Sequence, residues 1–235
     1  AQRVRSELSL AQMSAEALAS TLIRDDEGRI ILLEAHGLSQ LLTLLRSKRE
    51  EDLVVTPMVH ALTSYGLDRK CLQLMAETGA CDEAAEEMMG MLAMHFCKLI
   101  AKNEQGEEPS SSDQDVCESV ATSLWGTLYS ASMDEAMHPM RAHLVLLLHL
   151  LLSKSLGLRG AERAVYYLTG SLAALCRNER CAGVLCAPES EQLQATETYL
   201  EEWGCKFPGG CTLPGVFDTI SILLAVPAGA PPDAQ

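Results

Sequence analysis

The chain has 235 residues, of which 48% are hydrophobic but only 4% aromatic; this is enough to bury long helix faces and too few ring side chains for a typical sheet protein. Thirty-two acidic against eighteen basic residues give a formal charge of −14, which disfavours direct binding to nucleic acid or anionic membranes and favours a partner with a basic segment. Nine cysteines without a paired CxxC framework read as free thiols of an intracellular protein.

In chain order, residues 7–23 read as a helix, with apolar residues returning at about three and four positions: Leu10, Met13, Ala17, Leu18 and Leu22. A charged turn, 24–28, follows. The spacing predicts a short helix over 29–35, closed at Gly37. A second runs over 38–47, with Leu38, Leu41, Leu42 and Leu45 on one stripe. After a polar break, a longer helix over 54–66 carries Pro57 near its first turn. Residues 68–79 repeat the short-helix theme. A long helix is predicted over 82–102, where Met88, Met89, Met91 and Met94 fill gaps in a core.

Residues 103–115 are polar and acidic, with Gly, Pro and consecutive serines, and read as a flexible loop. Helices return over 116–132, 137–154, 162–176, 177–186 and 191–203. The apolar run 144–152 contains His149 and is too short for a bilayer, so it reads as a buried helix and no transmembrane segment is expected. The stretch 204–215 is turn-rich, 216–226 suits a capping helix or a strand, and 227–235 a disordered tail. The whole of 1–226 reads as one helical domain.

An internal period is visible. Gly37 and Gly79 lie 42 residues apart, and the same offset relates Ala19 to Ala61, Ile30 to Leu72 and Leu32 to Leu74. Further on, LWGTL around Gly126 matches LTGSL around Gly170 at an offset of 44 residues. Repeats of this length are built from two or three helices that bury their faces against the neighbouring unit.

These segments resemble the armadillo repeat family, also related to HEAT repeats. Residues 29–47 look like the first and second helices of a unit, and 53–66, 123–130 and 167–185 contain third-helix patterns. The resemblance implies an all-α fold, a right-handed superhelical solenoid that is irregular in the middle. It also implies a concave face, lined by third helices, that binds an extended polypeptide. Nuclear-import members place a Trp, and an Asn four residues later, on that face. The matching positions here are His60, Ser123 and Tyr167, followed by Ser64, Thr127 and Ser171. None carries the Trp or the Asn, which argues against import-receptor activity.

The chemistry-bearing residues point the same way. His95 and Cys97 are two apart and do not share a helix face. His138, His143 and His149 are spaced five and six apart and fit no compact ligand set, so no metal site or cofactor is expected. Cys176, Cys181 and Cys186 read as buried thiols, while Cys205 and Cys211 flank a tight turn where a bond could close. Ser110, Ser111 and Ser112 precede acidic residues in the pattern of a kinase target. Trp125 reads as core; of Tyr166 and Tyr167, one faces inward and one outward.

The expectation is a protein–protein interaction scaffold or adaptor, not an enzyme, taking a protein or peptide with a basic or apolar segment. A cytoplasmic or nuclear setting suits it, and the oligomeric state is open. Alternatives are a regulatory or cargo-binding domain of a larger protein and a self-assembling structural module; an enzyme ranks last.

Overall fold

The computed structural model describes residues 2–48, 51–78, 80–132, 141–207, 210, 212–215 and 218–219, and the account below concerns these. Among them are eleven helices and no strand. In order they are α1 Gln2–Arg24, α2 Asp26–Glu34, α3 Gly37–Ser47, α4 Asp52–Leu67, α5 Arg69–Thr78 and α6 Ala80–Glu104. Then follow α7 Ser111–Ser132, α8 Ala142–Ser155, α9 Glu162–Leu175, α10 Glu179–Cys186 and α11 Ser190–Glu202. The predicted segments 216–226 and 227–235 lie almost wholly outside the described residues, as do His138 and Cys211.

Polar residues set the boundaries. The Asp25 carboxylate caps α2 by accepting the Gly28 N–H at 3.0 Å. Asn178 caps α10, and Glu189 with Gln192 closes a capping box on α11. The turn between α2 and α3 departs from expectation. Its left-handed residue is His36 (φ 57°), not Gly37, which opens α3. Gly37 is required for closeness: a Cβ there would stand 2.3 Å from Leu32 Cγ. Pro57 also sits deeper than predicted, in the second turn of α4.

The loop predicted over 103–115 is much shorter. α6 extends through Glu104 and α7 starts at Ser111. Ser110 and Asp113 explain the start as a reciprocal cap: the Asp113 N–H donates to Ser110 Oγ (3.2 Å), and the Ser110 N–H to the Asp113 carboxylate (3.3 Å). Lys102 pairs with the same carboxylate, which lies below its ordinary range because the hydrogen bonds from Lys102 and Ser110 outweigh burial.

Helices related by the internal offset pack on one another: α1 on α4, α2 on α5, α3 on α6, and α7 on α9. Outside that offset, α4 packs on α7, α6 on α8, and α8 on α11. One hydrophobic cluster runs from Ala15 to Phe207 through all these contacts. Met88, Met89, Met91 and Met94 are all buried in it. Every residue of α8 from Leu144 to Leu152 is buried, which accounts for an apolar run on all sides of one helix. His149 in its middle meets the Thr219 hydroxyl at 2.9 Å. No helix among the described residues is long and apolar enough to cross a membrane.

Helix α11 is locked in place by Trp203. Its indole lies on Gly90 of α6, where a Cβ would stand 2.0 Å from the ring. Arg46 from α3 stacks over the same ring at 5.6 Å and reaches Glu87 at 3.3 Å. Tyr199 donates its hydroxyl to the Glu86 carbonyl and packs beside His143, with ring centroids 6.0 Å apart.

Candidate functional site

The row α4–α7–α9 leaves one strip uncovered. On α7, Glu118, Ser119, Thr122 and Trp125 are half-buried, while Val120, Ala121, Ser123, Leu124, Thr127 and Leu128 are buried. Positions 118, 122 and 125 fall on one side of a helix, so the exposed side chains form a line. On α4 that line is continued by His60, and on α9 by Arg163, Tyr166 and Tyr167.

Side chains bridge the three helices along the strip. His60 Nε2 and Ser119 Oγ lie 3.2 Å apart between α4 and α7. Between α7 and α9, Arg163 Nη1 donates to both oxygens of Glu118, at 2.9 and 3.0 Å. That bond and the attraction to Glu118 raise the guanidinium pKa further. Seven residues further along α7, Trp125 meets Tyr167 with centroids 5.9 Å apart and planes tilted by 50°. Tyr167 in turn meets Tyr166 edge-on, at 5.3 Å and 81°. Because Glu118 meets Arg163 and Trp125 meets Tyr167, α7 and α9 run in the same direction. A Cβ on Gly170 would stand 2.6 Å from Trp125 Nε1, so the glycine is the notch that admits the indole.

The six residues predicted to line a groove divide. His60 is exposed, Tyr167 is half-buried on the strip, and Ser64 is half-buried with its hydroxyl donating to the Ala61 carbonyl at 2.6 Å. Ser123, Thr127 and Ser171 are buried in the seams between helices and offer no surface to a partner. The Ser123 hydroxyl lies 3.0 Å from the Val59 carbonyl across the α4–α7 seam and 2.9 Å from Ser119 O. Ser171 donates to Tyr167 O at 2.9 Å. Small hydroxyls suit a seam because they permit close approach and satisfy their own hydrogen bond on the preceding turn. The strip uses Ser119, Thr122 and Trp125 instead. Trp125 is thus not a core residue, and its place after the polar series 115, 118, 119, 122 is the signal that marks it.

Tyr166 is the outward tyrosine, 61% exposed. Of the proposed kinase serines, Ser110 and Ser111 are exposed, but Ser110 is engaged in the α7 cap; the Ser112 side chain lies outside the described residues. Cys181 is buried, whereas Cys176 and Cys186 are exposed, correcting the reading of all three as buried. His143 and His149 are held neutral by burial, which lowers both pKa values; for His143, Glu86 pulls the other way and Arg141 adds to the lowering.

Fold and strip together define an all-helical protein with an aromatic and polar open face. No protein-family model matches the sequence, and no curated protein matches it significantly.

Proposed function

We propose that the chain is an interaction module, an armadillo-type helical solenoid whose α4–α7–α9 strip binds a polypeptide partner. The observation that supports this best is the exposed Tyr166, joined to the half-buried Tyr167 and Trp125 at the edge of a line of polar side chains. Aromatic rings on a rigid base supply contact area at little cost in conformational entropy, and they are common anchors at protein interfaces. The solenoid reading is supported by four contacting pairs that share the sequence offset, α1 with α4, α2 with α5, α3 with α6 and α7 with α9. Glu118, Glu162 and Asp115 near the strip, and the charge of −14, favour a partner with a basic segment beside an apolar anchor.

The test uses Tyr166→Ala with Glu162→Gln, both on exposed positions, and Gln194→Ala on α11 as a control. Partners are captured from native lysate and the binding of each is then measured with purified protein. The expected result is a partner held by the wild type and the control, and weakened at least about tenfold by the double variant. Equal binding by all three proteins removes the strip from the reading.

A second reading has one observation in its favour. α1 leaves Leu10 and Met13 66% and 63% exposed, on the side opposite Ala15, Ala19 and Leu22 that packs inward. Such a face suits association with another copy of the chain. A sedimentation profile independent of concentration would remove it.

A further inference from the structure

We propose that Cys97 and Cys205 form a reversible oxidative modification site, at which an intramolecular disulfide ties the middle of α6 to the segment following α11. Gly90 and Cys97 are seven residues apart on α6 and therefore share a face. The Trp203 indole is seated on Gly90, and two residues later the chain brings Cys205 onto Cys97, close enough for their thiols to share a hydrogen bond. Neither is joined in a disulfide in this structure.

The two sulfurs differ in a way that assigns their roles. Cys97 is half-buried and open to small reagents, whereas Cys205 is 4% exposed. The hydrogen bond from Cys205 holds the Cys97 thiol below its usual range, aided by the Lys206 backbone and opposed by burial. The Cys205 sulfur also lies 3.7 Å from the Trp203 carbonyl, an alternative acceptor while Cys97 keeps its proton. Cys176 is more exposed but is pushed the other way, by burial and by the nearby Cys186, so accessibility alone does not rank it first.

The oxidant is a hydroperoxide. The Cys97 thiolate attacks one peroxide oxygen, the O–O bond breaks, and hydroxide leaves and takes up a proton as water. Cys97 is then a sulfenic acid. The Cys205 sulfur attacks the Cys97 sulfur, the S–O bond breaks, and the second water leaves. In sum, two thiols give up two electrons and two protons, and hydrogen peroxide becomes two waters. A thiol reductant reverses the bond by exchange.

The reduced full chain is treated with one equivalent of hydrogen peroxide and remaining thiols are blocked with N-ethylmaleimide. Digestion with trypsin and Glu-C isolates Cys97 in residues 88–98 and Cys205 in 203–206, each peptide with a single cysteine. The expected product is the cross-linked pair of these peptides, dominant over every other disulfide and lost on adding dithiothreitol. The same treatment in urea should abolish the preference. Cys97 recovered blocked or as sulfinic acid, without linkage to Cys205, overturns the proposal. So does a linkage no commoner in the folded than in the unfolded chain. In Cys205→Ser, a second equivalent of hydrogen peroxide should oxidise the Cys97 sulfenic acid to sulfinic acid, releasing water; because the wild-type map decides by itself, poor folding of that variant does not blunt the test.

Discussion

The only two tryptophans of the chain use one packing device with opposite outcomes. Each indole rests on a helical glycine of another segment, Trp203 on Gly90 and Trp125 on Gly170. Around Trp203 the notch is closed: Arg46 covers the ring, Tyr199 packs at 6.3 Å, and the residue is 3% exposed. Around Trp125 the notch stays open on one side, with Tyr167 beside it and Tyr166 beyond. A glycine notch fixes where an indole sits; the neighbours decide whether it becomes core or surface. Stability should therefore depend on the first tryptophan and recognition on the second.

The largest effect expected is at the closed notch. Trp203→Ala should lower stability by about 3–5 kcal/mol, the range for removing a buried ring, against about 2–3 kcal/mol for Trp125→Ala, whose ring is less fully covered. Urea unfolding followed by circular dichroism reads both, and equal losses would break the contrast. Next in size are the glycines. A methyl at Gly90 meets an indole that cannot yield, so Gly90→Ala should cost about 3 kcal/mol. At Gly170 the indole can swing outward, and the clash is offset by the gain of roughly 1 kcal/mol from placing Ala in a helix. Gly170→Ala should then be nearly neutral in stability while changing Trp125 fluorescence.

The smallest effect concerns pH. His143 beside Tyr199 and His149 in α8 have folded pKa values lowered by burial. The unfolded chain takes up protons first, so their contribution is complete above an unfolded value of about 6.5 and is lost as pH falls through the lowered folded values. Asp113 is likewise lowered, but its own loss comes in the more acidic carboxylate range. Between pH 7.5 and 5.5 the unfolding midpoint should therefore drop, and His149→Gln should flatten the drop. An unchanged profile in that variant would show that His149 is not responsible.

Much of the fold was legible because apolar residues recur at helical spacing, and because Ala19 with Ala61, or Gly126 with Gly170, mark helices that pack together. The start of α7 was hidden in plain text. Ser110 and Asp113 have the spacing of a capping box, but the serines and acids around them also match a loop. Gly37 does close the segment 29–35, but by close packing on Leu32, while the turn's positive φ falls on His36. The site was only partly readable. Aligning repeats on their glycines locates the seam, where Ser123, Thr127 and Ser171 lie, because small residues cluster where helices touch. The open strip follows polar periodicity instead, and that pattern leads to Trp125.

Pro57 gives the strip a property that side-chain chemistry does not convey. With no N–H to donate, it leaves the main-chain carbonyl of residue 53 without its α-helical donor. Residues 53, 57, 60 and 64 share one side of α4, so this gap in the hydrogen-bond ladder falls on the side that carries His60. Alanine scanning removes side chains and leaves carbonyl oxygens in place. A partner that donates an amide there would keep that contact through every truncation along the row, and only exchange of the proline itself, which restores the internal bond, would take it away.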